Sequence, residues 1–114
     1  MNENKEYITH PEELGTIHIS EDVLCAIAAS AAMEIEGVSA LMASGSKKNA
    51  GKGVKITIAE NRAVVDVYLM VVYGQPIPEV AAKVQAAVTS AMDAMAGFAV
   101  QEVNVHVGGV SFAK

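Results

Sequence analysis

The chain has 114 residues, a formal net charge of −5 at pH 7 and 52% hydrophobic residues, with no Trp. This length is enough for one domain with a sizeable core but too short for two. The acidic balance argues against sequence-independent nucleic-acid binding, in which Lys and Arg neutralise phosphates, and provides no attraction to an anionic membrane surface. A local basic patch remains compatible with it, because net charge does not fix how the charges are distributed.

The composition also indicates a cellular compartment. The single cysteine, Cys25, excludes an internal disulfide and fits a reducing environment. The polar N-terminal residues lack the apolar core of a signal peptide, and no apolar run reaches the roughly 18 residues that span a bilayer. We therefore expect a soluble, cytoplasmic protein in which Cys25 is a small buried filler rather than a nucleophile.

The first segment of the chain is polar, and residues 1–13 are predicted to form a flexible N-terminal arm. A single domain is predicted over residues 14–114. It opens with residues 15–19, which alternate between polar and apolar and predict a short strand with Ile17 and Ile19 facing inward.

The first helix is predicted from its capping residues. Ser20 is a favourable N-cap, and the helical spacing of apolar residues continues to about Glu36, where Gly37 ends the helix. The apolar residues 38–43 fit either a short strand or a turn of helix, and the pattern leaves both open.

Residues 44–53 form a basic, glycine-containing loop that invites comparison with a phosphate-binding P-loop. The match fails because Gly45 and Gly51 are one residue too far apart, and because Gly53 stands where Ser or Thr is required. A strand also follows, where the motif needs a helix. A solvated loop is the favoured interpretation, with a weak anion or partner contact through its lysines as the alternative.

The central element is the predicted strand over residues 63–73. The residues at odd-numbered positions from 63 to 73 are apolar or aromatic throughout, and those at even-numbered positions are mixed. This alternation predicts one buried face and one half-polar face. The buried parity comprises Val65, Val67, Leu69, Val71 and Tyr73. Residues 54–58 alternate cleanly and predict an antiparallel hairpin with this strand.

The chain closes with a second helix and a last strand. The helix is predicted over residues 77–96 and ends at Gly97, with an apolar stripe that includes Met92 and Met95. Core filling is the favoured interpretation of these methionines, and a groove for a partner is the alternative. The last strand is predicted over residues 98–107, with a bulge or bend at the following glycine pair.

These elements predict an α/β (α+β) two-layer sandwich. The order is β-α-β-β-α-β, and two helices of this size cover one face of a mostly antiparallel, four-stranded sheet. The split β-α-β arrangement of ferredoxin-like folds is the simplest match.

The uncovered sheet face is the candidate functional surface, because part of it is too apolar for a row that only faces water. Its predicted members are Thr16, His18, Lys55, Thr57, Asp66, Tyr68, Met70, Val72, Asn104 and His106. Tyr68, Met70 and Val72, with Asp66 and His106 beside them, form the predicted interaction surface. A sheet-to-sheet homodimer or a bound partner is one interpretation, and an ordinary half-exposed sheet is the other.

Catalytic and metal chemistry find little support in the sequence. The ferredoxin-like order places His18 and His106 on adjacent strands, but the further ligands of a metal site are not evident. No spacing fixes a set of nucleophile, base and orienting group. We predict no enzyme activity, no cofactor and no metal.

Three motifs occur in a telling order and spacing: Gly-Thr-Ile-His-Ile-Ser from Gly15, Tyr-Gly-x-x-Ile-x-Glu-Val-Ala from Tyr73, and Val-Asn-Val-x-Val from Val103. Together they resemble the alkaline shock protein family of Gram-positive bacteria, also called Gls-type general stress proteins. The resemblance covers about residues 14 to 112. It implies a small cytoplasmic non-enzyme of the envelope stress response, held at the membrane in some members by a membrane-embedded protein partner. It also implies assembly into larger structures in some members, and a link with fatty-acid synthesis in others.

Two hypotheses follow. The first is a non-enzymatic protein of envelope stress and homeostasis that acts through protein–protein contacts, with no nucleic acid and no direct membrane insertion. The second is a regulatory domain that senses a lipid or acyl metabolite.

Overall fold

The computed structural model describes residues 7–12, 15–42, 53–59, 62–97 and 99–112. Residues 44–52 of the predicted basic loop lie outside these ranges, as do residues 1–6 and 13 of the predicted arm. The described elements, in chain order, are β1 (Tyr7–Glu12), β2 (Gly15–Ser20), α1 (Glu21–Met33), β3 (Val38–Leu41), β4 (Val54–Ala59), β5 (Arg62–Val72), α2 (Ile77–Ala91), a π-helical turn (Met92–Ala96) and β6 (Val100–Ser111).

The predicted elements occur in the predicted order, and two strands are additional. Strand β3 decides the alternative that the sequence left open for residues 38–43. Strand β1 was not predicted, and it lies within the segment expected to be an arm. Its polar residues and Pro11 weaken the alternation that normally reveals a strand.

The two-layer α+β architecture is confirmed, and β5 is its centre. On the inner face of β5, residues from Ala63 to Val71 at every second position are between 0% and 1% exposed. Both helices pack on this face. Their contribution to the core comes mainly from Leu24, Cys25, Ala28, Ala31, Ala32, Val80, Val84 and Val88. Because so many of these side chains are Ala or Val, the helices lie close to the sheet.

Strand β5 is paired along both of its edges. Strand β6 runs parallel to it from Ala63 to Val72, whereas β3 and β4 pair antiparallel with it. Since β6 occupies one edge along this whole length, β3 and β4 share the other edge, one after the other. At their junction Met42 N donates to Tyr68 O at 2.8 Å, and Tyr68 N donates to Gly53 O at 2.8 Å.

The strand order differs from the ferredoxin-like expectation. Strand β2 pairs antiparallel with β1 in a separate two-stranded sheet, in which His18 lies opposite Thr9. The physical reason is that α2 connects β5 to β6 in a parallel β-α-β unit, so that β6 pairs directly with β5. Strand β6 thereby occupies the edge of β5 with which β2 would pair in the ferredoxin-like order. Consequently Ile17 is 50% exposed rather than inward, while Ile19 does pack against the core.

The predicted helix boundaries were close, with two corrections. Ser20 caps α1 by accepting from Val23 N at 3.3 Å, and the chain then reaches Gly37, where φ is +105°, through a turn after Met33. Helix α2 continues into the π-helical turn before Gly97 ends it in the left-handed region, at φ +65°.

Two further expectations concern the ends of β5 and β6. The predicted bulge is confirmed, since the β5–β6 register shifts so that Leu69 pairs with Val107 but Met70 pairs with Gly109. Tyr73 was predicted to be buried and is instead 67% exposed. The strand ends at Val72, and the Tyr73 ring packs on Phe112 with centroids 4.9 Å apart.

Candidate functional site

The face of β5 that points away from the helices carries the candidate site. Its residues Val64, Asp66, Tyr68, Met70 and Val72 are all half-buried. We call these residues, together with Lys55, Thr57, Glu102, Asn104 and His106 of the neighbouring strands, the outer sheet face. Register places them together, because Asp66 lies opposite both Lys55 and Asn104, and Tyr68 lies opposite His106. Directly opposed residues of paired strands point to the same side of a sheet.

A hydrogen-bonded cluster forms the polar half of this face. Asp66 Oδ1 accepts from Asn104 Nδ2 at 3.2 Å and lies 3.1 Å from His106 Nε2. An ionised carboxylate can only accept, so Nε2 is the donor in this contact. Asn104 Nδ2 also lies 3.2 Å from Glu102 Oε2, which links the two carboxylates through one amide. The cluster therefore fixes the orientation of His106.

The His106 ring in turn packs on Tyr68. The two ring centroids are 4.4 Å apart and the ring planes differ by 10°, which is a stacked arrangement. Stacking and the Asp66 contact hold the same imidazole from two directions. Tyr68 is consequently held in place while it remains half-exposed.

Beyond Tyr68 the outer sheet face becomes apolar. Met70 and Val72 continue the row, and Met42 approaches from the end of β3. The glycines of the β6 bulge make room for the methionines: a Cβ on Gly109 would lie 3.3 Å from Met70 Cε, and one on Gly108 would lie 2.7 Å from Met42 Sδ. The bulge thus allows two flexible thioethers to lie against the backbone of β6.

The structure brings together the five residues predicted for the interaction surface. Asp66, Tyr68 and His106 are in direct contact, and Met70 and Val72 extend the same row. Thr16 and His18 do not join them, because their strand belongs to the other sheet. Within the described ranges, no group of three or more His, Cys, Asp or Glu side chains is placed to hold a metal ion.

A second feature lies on the helical side, where the sequence analysis favoured core filling by the methionines over a groove for a partner. An open groove of about 420 Å³ lies between α1 and the end of α2. We call it the helix groove; it is lined by Val23, Ala26, Ile27, Ser30, Ala31, Glu34, Ala91 and Met95. Met95 was predicted to fill the core and is 71% exposed, whereas Met92 is buried as predicted. The π-helical turn, which carries both residues, interrupts the regular spacing on which that prediction relied.

None of the described helices combines the length and the apolar character that a bilayer span requires.

Fold and site define a class: a small α+β domain that presents a mixed polar and apolar surface on its sheet. The chain belongs to the alkaline shock protein 23 family, whose model matches residues 9–112 and carries the description "cell envelope-related function". The resemblance seen in the sequence is thereby confirmed, and the protein is one of a cell envelope-related family.

Similar proteins occur in two Gram-positive species. The chain is 36% identical to the protein YqhY of Bacillus subtilis over 107 residues, which cover 87% of this chain and 79% of YqhY. It is 38% identical to a protein of Streptococcus pyogenes over 105 residues, covering 87% of this chain and 81% of the other. A second Bacillus subtilis protein, YloU, is 31% identical over 106 residues, with coverage of 84% and 88%. No solved structure matches the chain.

Proposed function

We propose that this protein is a non-enzymatic adaptor in envelope stress and homeostasis, and that it acts through protein–protein contacts on the outer sheet face. The family supports the envelope assignment. The resemblance implies a membrane-embedded protein partner for some members and a link with fatty-acid synthesis for others. We place the protein in the cytoplasm and its membrane association in the partner.

The observation that carries the proposal is the Tyr68–His106 stack beside Met70 and Val72. Tyrosine is enriched among the residues that dominate binding energy at interfaces, because it buries a large area with few rotatable bonds. Here its ring is already held by His106, which Asp66 holds in turn. A side chain fixed before binding loses little conformational entropy when a partner covers it.

The charges around the Tyr68–His106 stack support a selective contact rather than non-specific binding. Asp66 and Glu102 lie on one side of Tyr68 in the register, and Lys55 lies opposite Asp66 on β4. Met70 and Val72 lie on the other side, without charge. A partner has to match both the polar and the apolar half, which disfavours surfaces that match only one.

The test is an affinity pull-down of tagged protein from native cells in mild detergent, comparing the wild type with Tyr68→Glu. We expect the variant to fold and to lose a specific membrane protein or lipid-synthesis enzyme, because a carboxylate replaces the aromatic anchor. Tyr73→Glu is the matched control, since Tyr73 is an exposed tyrosine in the turn after β5. Equal recovery of partners by all three proteins would contradict the surface assignment.

The same variants address self-association, because the outer sheet face could also join two copies. Light scattering of the purified wild type measures its mass in solution. If the wild type is a dimer and Tyr68→Glu is a monomer, the face is a homodimer contact, and recovery of only the protein itself in the pull-down is then expected.

A second candidate function is a domain that senses a lipid or acyl metabolite, and the helix groove is the observation that favours it. A ligand-bound domain melts at a higher temperature, by an amount set by the ligand concentration relative to Kd. A thermal-shift screen with fatty acids and acyl thioesters would support this function if one compound raised the Tm of the wild type but not of Met95→Gln. A flat screen would favour the adaptor.

A further inference from the structure

The helix groove has the form of a helix-binding surface. Its α1 wall runs from Val23 to Glu34 with lining residues at helical spacing, a stripe about 16 Å long at 1.5 Å per residue. Val23 and Met95 are 49% and 71% exposed, and they project as ridges on the two sides. Between them, Ala26, Ala31 and Ala91 leave room for bulky side chains from outside.

The lining of the groove carries a negative charge. Glu34 lines it directly and is exposed. Residues 15–42, which include the α1 wall, contain four carboxylates and no Lys or Arg. Residues 84–112, which include Ala91 and Met95 of the other wall, also contain no Lys or Arg. Glu34 is the only charged residue among those that line the groove, so the apolar stripe is accompanied by one negative charge.

We propose that the helix groove binds an amphipathic helix of a partner protein, with bulky apolar residues on one face and Lys or Arg flanking them. The apolar row fills the space above the alanines at positions i, i+3, i+4 and i+7. At least one of the flanking cations faces Glu34.

The charge pattern disfavours the other occupants of an apolar groove. A fatty-acid carboxylate or an anionic lipid headgroup would bring a second negative charge to the groove that Glu34 lines. A second copy of this chain would bring the same acidic helices and a net charge of −5. A cationic amphipathic helix is the occupant that complements both the apolar lining and the charge of Glu34.

This surface is distinct from the outer sheet face. The helices cover the inner face of the sheet, so the helix groove and the Tyr68–His106 stack lie on opposite sides of the two-layer domain. Two partners can bind at once without touching, and the domain then connects them.

The experiment measures the binding of fluorescein-labelled model peptides by fluorescence anisotropy. One peptide carries Leu at i, i+3, i+4 and i+7 with Lys at the flanking positions, and its matched partner has Glu in place of every Lys. We expect the wild-type protein to bind the Lys peptide, more weakly as salt is raised, and to bind the Glu peptide at least ten-fold more weakly.

Two pairs of variants locate the binding site. Glu34→Lys should weaken binding of the Lys peptide about five-fold or more, whereas Glu79→Lys, with the same change in net charge at an exposed site outside the groove, should not. Met95→Gln should weaken it as well, whereas Met33→Gln, at an exposed α1 methionine outside the lining, should not. Circular dichroism confirms that each variant is folded.

Three outcomes would overturn the inference. They are equal binding of the Lys and Glu peptides, equal effects of the groove and control variants, and no binding of the Lys peptide at millimolar protein. A rise in Tm with oleate that Met95→Gln abolishes would assign the groove to a lipid instead. Tyr68→Glu should bind the Lys peptide normally, so failure here is distinguishable from failure of the proposed adaptor contact.

Discussion

The two faces of β5 belong to the same strand, but their side chains differ in burial and in chemical character. On the inner face the side chains from Val65 to Val71 are shielded completely, and all are aliphatic. On the outer face every side chain is half-buried, and the row combines a carboxylate, a tyrosine and a methionine. Alternate residues of one strand thus differ in burial, and the proposed recognition falls on the residues that contribute less to the core.

This separation has a physical cause. A side chain that is fully buried contributes to folding in proportion to the apolar area it removes from water. A side chain that remains half-exposed contributes less to folding but keeps area that a partner can still cover. Substitutions on the two faces should therefore differ in what they damage, and the expected effects can be ranked.

The largest expected effect comes from Leu69→Ala. Leu69 is 0% exposed, so the substitution leaves a cavity and should lower the free energy of unfolding by about 2–5 kcal/mol. The adjacent outer residue offers the comparison, and Met70→Ala should cost about 1 kcal/mol or less. Urea denaturation with an unchanged m-value measures both. Equal losses would mean that the two faces are not separated as described.

A smaller effect is expected from Val67→Thr, which changes polarity at nearly constant shape. Val67 is fully buried, and a hydroxyl there costs about 1–3 kcal/mol if it finds no partner. Thr57→Val is the reverse exchange on the exposed side of β4, and it should change stability by no more than about 0.5 kcal/mol. Thermal unfolding of the two variants tests the ranking, which fails if Thr57→Val is the more damaging.

The smallest stability effect is expected from His106→Ala on the outer face. The variant loses the stack on Tyr68 and the contact with Asp66, yet His106 is largely exposed, so the cost should be below about 1 kcal/mol. The ring-proton resonances of Tyr68 should nevertheless shift, because the stacked imidazole is gone. His18→Ala, on β2, should leave those resonances in place. Unchanged Tyr68 resonances in His106→Ala would exclude the stack.

Much of the core could be predicted because its signals are local. The two-residue period of β5 identified its buried parity, and Ser20 marked the start of α1. The outer sheet face followed from the same alternation, since whatever lies opposite a buried row must point the other way. The five residues named from sequence alone do lie together.

The remaining features depend on contacts between distant segments. Local patterning does not show whether β2 or β6 occupies the free edge of β5, so the pairing of β2 with β1 was missed. The groove was only the less favoured interpretation of the methionine stripe, because Met95 keeps helical spacing in the sequence, while the π-helical turn leaves it exposed.

The junction of β3 and β4 has a practical consequence for engineering. Met42 and Gly53 are both held to the backbone of Tyr68, so the gap between them is set by the sheet and not by the chain that joins them. The entropy of closing such a connection rises slowly, by about 0.6 kcal/mol for each doubling of its length. A longer connection between Met42 and Gly53 should therefore cost the fold little stability, which makes this connection the place to insert an epitope tag or a fluorescent reporter.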